Sequence, residues 1–276
     1  MFSFSNLFSS LLVAGTILAA EAWQKQHRPS LDLSPARVAV RFEPVVIGAI
    51  AAPARVAGAW AVSAGDNRFG GISGLGIDQG KLLALSDGGM LMAIDRPGTK
   101  QPTVTIRALP AVPGPATRKI GRDSEALLRD PAGRGWWVAF EQVHSLWLYD
   151  RGFTRTLKVI PVKNADFSDN HGIETLADDH GRVRWLAEST GASDAARLPD
   201  GAIMLLERRI GVGGVSSWLK WGGQRLALPL ARSDNPEALT AEPLPNGGTR
   251  LWIMTDNDLK PWRRTLLVAI DLPPPN

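Results

Sequence analysis

The chain of 276 residues contains no cysteine. That absence excludes disulfides, thiol catalysis and cysteine-based zinc sites, so stability rests on packing and on any bound ion. No run of five or more basic residues occurs among the 23 Arg and 8 Lys, which removes the usual mark of a nucleic-acid arm. The net charge of +4 is instead spread along the chain, as a solvated Arg-rich surface or a diffuse field that attracts anionic substrates. There is no G-x-S-x-G elbow, P-loop, H-E-x-x-H or Rossmann glycine fingerprint. GVGGVSS at Gly211 lacks the Lys and helix of a phosphate loop. Calcium loops of the D-x-D-G type are missing too, and Asp66-Asn67 and Asp256-Asn257-Asp258 read as turns.

What is present describes a globular chain rich in turns: 44% hydrophobic residues, 21% charged, 28 Gly and 20 Pro. Ten Trp stand against a single Tyr. The apolar stretch Leu11 to Ala20 and the A-x-A pattern Ala20-Glu21-Ala22 suit a signal peptide over residues 1–22, about half the length that spans a bilayer. No Lys or Arg precedes that stretch, so an uncleaved anchor is the alternative and the one expected contact with a membrane. Either way residues 23–276 are expected as a periplasmic or secreted domain, and as a monomer.

Four segments repeat: ISGLGIDQGKLLALSDGGMLMAID from Ile72, SEALLRDPAGRGWWVAFEQVHSLWLYD from Ser124, IETLADDHGRVRWLAEST from Ile173 and PEALTAEPLPNGGTRLWIMTDND from Pro236. Each leads from a small or acidic residue into an apolar strand, crosses a turn, and enters a second strand that ends on a polar or acidic residue. The second segment parses as strands at Glu125 to Arg129, Trp136 to Glu141, Ser145 to Tyr149 and Thr154 to Pro161. Four antiparallel strands in about 37 residues make one blade of a β-propeller, and roughly 42 residues per blade predicts six blades. Arg37 to Pro44 and Ala59 to Ala64 read as strands that complete the last blade and close the ring, whereas Gly211 to Gly223 is too Gly-rich to assign. A β-sandwich is the competing all-β architecture. Trp136, Trp137, Trp147, Trp185 and Trp252 fall inside these strands and read as packing between blades, not as a nucleic-acid platform.

FGGISGL at Phe69, ALSDGG at Ala84, SEALL at Ser124, HGIETLA at His171, LPDGAIMLLERR at Leu198, NPEALT at Asn235 and MTDND at Met254 together resemble the phytase-like, "esterase-like activity of phytase" family of secreted bacterial proteins, from about residue 37 to the end. The pattern Glu-x-Leu, turn, apolar strand, acid also resembles the blade motif of calcium-dependent β-propeller phytases. That resemblance implies acids at the blade mouths that hold calcium, which in turn binds substrate phosphates. The chain is shorter than those enzymes and lacks their dense acid clusters.

Position singles out the acids independently, because the inner strands of a propeller converge on one mouth. Ser73, Glu125, Glu174 and Glu237 share the strand-start position, and Asp87, Glu141, Glu188, Glu207 and Asp256 end strands. Carboxylates gathered there repel one another unless a cation joins them, and calcium tolerates such irregular oxygen sets better than magnesium. The candidate metal ligands are therefore Asp87, Glu125, Glu141, Glu174, Glu188, Glu237 and Asp256. The alternative is that these acids bond backbone N–H groups or pair with Arg. For hydrolysis, Glu125, Glu174 or His171 is the candidate base, with Asn170, Arg208 and Arg209 as contacts for a small anionic or ester substrate. His171 as a structural residue, and the two arginines as surface pairs, are the plainer readings. The expected function is calcium-assisted phosphoester or ester hydrolysis. A non-enzymatic envelope propeller, or a lactonase-like hydrolase hinted at by Asn170 and Asn235, is the alternative.

Overall fold

Short runs of branched and aromatic residues between Gly, Pro, Asp and Asn turns fold as strands, and no α-helix occurs among the described residues. In this computed structural model the described residues are 31–115, 117, 121–163, 172–187, 190–260 and 262–275. Leu33–Asn276 is one compact unit. No helix of the described residues is long and apolar enough to cross a membrane.

The strands are β1 (Ala36–Pro44), β2 (Arg55–Ala64), β3 (Ile72–Asp78), β4 (Lys81–Ser86), β5 (Met90–Ile94), β6 (Thr103–Ala108), β7 (Ser124–Arg129), β8 (Gly135–Phe140), β9 (Ser145–Asp150) and β10 (Thr156–Pro161). They continue as β11 (Ile173–Asp179), β12 (Arg182–Ala187), β13 (Ala192–Arg197), β14 (Ile203–Gly211), β15 (Gly214–Trp221), β16 (Gln224–Ala227), β17 (Asn235–Pro243), β18 (Thr249–Asp256) and β19 (Thr265–Leu272). Sheets β3 to β6, β7 to β10 and β13 to β16 are antiparallel meanders, and β11 pairs with β12. The last blade is β17, β18, β19 and then β2, which runs antiparallel to β19 with Thr265 opposite Val62. Strand β1 pairs with β2 on one side and β6 on the other, joining the last blade to the first.

The leading strand of each blade packs beside that of the next, in the order β3, β7, β11, β13, β17 and back to β3. That closed circuit makes a β-propeller, and the described residues supply five blades where length alone predicts six. The difference lies in residues 36–64: they add strands to the first and last sheets and build no blade of their own. The close approach of inner strands depends on small residues. A Cβ on Gly74 in β3 would stand 2.8 Å from both Cβ and backbone N of Leu127 in β7.

The core is divided between blades. Leu83, Leu85 and Leu91 pack on Leu127, Trp136, Val138 and Tyr149, and Trp137, Ala139 and Leu148 on Ile173 and Leu176. Trp252 lies in the cluster that joins the last blade to the first. The apolar area buried between neighbours, at about 25 cal/mol per Å², holds the ring together. The Gly-rich stretch left unassigned from sequence is the β14–β15 hairpin and the β15–β16 turn, with Gly214, Gly222 and Gly223 at positive φ in the turns.

Candidate functional site

All five inner strands are irregular at the same place. Pairing with the second strand of each blade skips one residue: Ser73 in β3, Glu125 in β7, Glu174 in β11, Ser193 in β13 and Glu237 in β17. A bulge leaves the skipped residue outside the ladder and re-aims its side chain. The repeat therefore places five equivalent side chains around one mouth, three of them carboxylates. Ser193 was not singled out from sequence, because a search guided by acids passes over a serine.

A second ring follows the ends of the second strands. The backbone N–H of Asp87 donates to Gly71 O at 2.8 Å, that of Glu141 to Asp123 O at 2.9 Å and that of Arg208 to Gly191 O at 3.0 Å. Asp256, opposite Asn235, ends β18 in the corresponding place. In the fourth blade the ring residue is thus Arg208, where the sequence reading put Glu207. The Glu207 side chain accepts from Lys220 Nζ at 3.1 Å instead.

The acids of the two rings meet. Carboxylate oxygens of Asp123, Glu125 and Glu141 all lie within 4.8 Å of one another. No hydrogen bond or ion pair reaches the half-buried Glu125 carboxylate from the described residues. Its pKa is pushed well above the usual range by burial, then by Glu174, Asp123, Asp87 and Glu237. Asp256 is buried and rises to about 8, through burial, then the charge of Glu237 and the Asp258 side chain. Burial raises Glu237 as well, against the opposing effect of Arg208.

Arg208 Nη1 donates to Asn235 Oδ1 at 2.9 Å and to the Glu237 carboxylate. Asn235 Nδ2 donates to the same carboxylate at 2.7 Å. Burial works against the charge on Arg208, and Glu237, Glu174 and Glu125 outweigh it. The turn that carries Asp87 is held from below: buried Arg122 donates to Gly88 O at 2.9 Å and Gly89 O at 2.7 Å. Hydroxyls stitch neighbouring inner strands, Ser73 Oγ to Ser124 O at 2.6 Å and Thr175 Oγ1 to Ala192 O at 3.2 Å.

Of the residues expected from sequence, Asp87, Glu125, Glu141, Glu174, Glu237, Asp256 and Arg208 are brought to this mouth. Arg209 is not: it is exposed and follows Arg208 on a strand, so the pleat turns it to the opposite face. Asn170, His171 and Glu188 lie outside the described residues. Asp123 was missed because it precedes its strand, although the acid pair Asp123 and Glu125 was visible in the sequence. Asn235 precedes β17's bulge in the same way.

A family description, phytase-like with esterase-like activity of phytase, matches residues 67–219, more than half of the chain. No curated protein matches it. Among solved structures, hydrazine synthase of Kuenenia stuttgartiensis is similar at 12% identity and a TM-score of 0.34, over 73% of this chain and 63% of that one. A protein of unknown function from Dyadobacter fermentans is similar at 11% identity and a TM-score of 0.40, over 86% of this chain and 99% of that one. A chain of a nidogen/laminin complex gives 12% identity and a TM-score of 0.39, over 87% of this chain and all 100% of its own.

Proposed function

The chain belongs to the phytase-like family described by esterase-like activity of phytase, and on that premise we propose that it is a calcium-assisted ester hydrolase working at the propeller mouth. The observation that carries this reading is the meeting of Asp123, Glu125 and Glu141 oxygens within 4.8 Å. Oxygens on opposite sides of a calcium ion, each at 2.3–2.6 Å, stand about 5 Å apart, so the three side chains fit that ion. Burial first, and then repulsion from Glu174, Asp123, Asp87 and Glu237, raises Glu125, and that repulsion is the electrostatic counterpart of a site built around a cation. When bound, the ion supplies a Lewis acid for a phosphoryl or acyl oxygen and an acidified water.

The remaining roles belong to the protein. Asp123, Glu125 and Glu141 hold the ion. Glu174 carries the general-base role, because it holds the bulge position of the neighbouring blade and faces Glu125. Arg208, fixed by Asn235 and Glu237, sets a positive edge across the mouth toward which an anionic ester orients. The leader-like N-terminus supports a periplasmic or secreted setting.

Thermal melting in millimolar calcium and in EDTA tests the ion: a rise with calcium that EDTA reverses is expected, and no shift would overturn the reading. A screen on p-nitrophenyl phosphate, p-nitrophenyl acetate and a lactone then tests the chemistry. Hydrolysis lost in Glu125→Ala and Glu174→Ala is expected. A calcium shift with no hydrolysis of any of the three would replace the enzyme by a propeller that binds a ligand.

A further inference from the structure

The fourth blade breaks the pattern of the first, second and fifth. Where they end the second strand on Asp87, Glu141 and Asp256, it has Arg208. The backbone bond to Gly191 O shows that Arg208 occupies the same place, without an insertion. At the bulge position the same blade, like the first with Ser73, offers a serine in place of a carboxylate, and the buried Ser193 Oγ meets no hydrogen-bond partner among the described residues. One fifth of the ring thus has a cation and a hydroxyl where the second and fifth blades have acids.

The guanidinium is anchored. It bonds Glu237 and Asn235, while Asn235 bonds Glu237 in turn. The side chains of Arg208 and Glu237 are only 20% and 16% exposed. Such a three-membered network, largely out of water, holds its charge in one position. The charge also faces Glu174 and Glu125 across the mouth. A divalent ion bound against Glu237 would have to displace this guanidinium or sit beside it, and like charges a few ångströms apart in a poorly hydrated site repel strongly.

We propose that Arg208 is a built-in cation that takes the place of a second metal ion. The mouth then holds a single divalent ion, on the side of Asp123, Glu125 and Glu141, and Arg208 sets that stoichiometry by occupying Glu237. This rests on the reading that the mouth binds a divalent cation at all.

Equilibrium dialysis or calorimetric titration of the full chain with calcium counts the ions. One ion per chain is expected for the wild type, two for Arg208→Gln, and one again for Arg208→Lys, which keeps the charge. A wild type that binds none sinks the metal reading itself. A wild type that binds one, with a folded Arg208→Gln that still binds one, sinks only the role given to Arg208. Should Arg208→Gln fail to fold, anomalous scattering from manganese soaked into the wild type decides: one peak beside Glu125 is expected, and a second peak against Glu237 overturns the proposal.

Discussion

Glu125, at the start of β7, and Asp130, just past its end, meet opposite surroundings. Asp130 accepts from Arg134 Nε and Nη2, each at 2.8 Å, and from Trp137 Nε1 at 2.8 Å, and its pKa falls to about 2, chiefly through Arg134. Glu125 is raised instead, by burial first and then by the carboxylates it faces. The same contrast separates blade flanks from mouth. Asp95 is neutralised by Lys81, Glu242 by Arg96, and Asp271 by both Arg55 and Arg250. A chain with 31 basic residues has cations to distribute. It places many of them against flank acids, while bulges and strand ends turn mouth acids toward one another. Charge at the mouth is therefore a product of the fold's repeat and not a residue of poor pairing.

Removing one charge from each end of β7 tests the contrast most strongly. Glu125→Gln should abolish the calcium-induced rise in melting temperature and lower any hydrolysis by about a hundredfold. In EDTA the same variant should be more stable than the wild type, by on the order of 1–2 kcal/mol, since an ionisable group that is buried and repelled by its neighbours is removed. Asp130→Asn should do the reverse: a loss of about 2 kcal/mol in denaturant unfolding, with calcium binding unchanged. If both variants were destabilised alike in EDTA, the distinction between mouth and flank would fail.

The two regions should also respond oppositely to pH. Asp256 keeps a proton in the folded, ion-free protein that the unfolded chain sheds above 3.8. Stability in EDTA should thus decline as pH rises from about 4 through about 8. Asp130 contributes stability above 3.8 that disappears as pH falls toward about 2. Melting curves from pH 2 to 9 should show both losses, and calcium should remove the alkaline one alone.

Smaller changes sharpen the geometry. A Cβ on Gly172 would come within 2.6 Å of Glu141 Cγ, so Gly172→Ala should weaken calcium by about tenfold in a titration while the flanks are untouched. Ser73→Ala removes the stitch to Ser124 O and should cost only about 1 kcal/mol in chemical denaturation.

Much of this was legible in the sequence because the repeat is chemical as well as structural. Glu125, Glu174 and Glu237 each stand near the start of an apolar strand, so pattern alone aligns them, and strands such as β7 and β9 fall within one residue of the expected limits. Register was harder. A bulge shifts pairing by one residue without a distinctive side chain, which is why Glu207 stood in for Arg208 and why Ser193 passed unseen. The blade count was read from length alone and came out one too high, whereas the closing strand read at Ala59 to Ala64 does complete the last blade, as β2 beside β19.

That pairing has a consequence for how the molecule is made. Arg55, on β2, bonds Asp271, on β19, across 216 residues. During synthesis β2 emerges early, with its partner not yet translated. Loop-closure entropy and high contact order make such a junction a late event. Until β19 is released, the exposed edges of β2 and β18 are open to pairing with another chain. Crowded synthesis, rather than heat, is then the condition under which this ring should most readily assemble wrongly, as a strand-exchanged pair of chains.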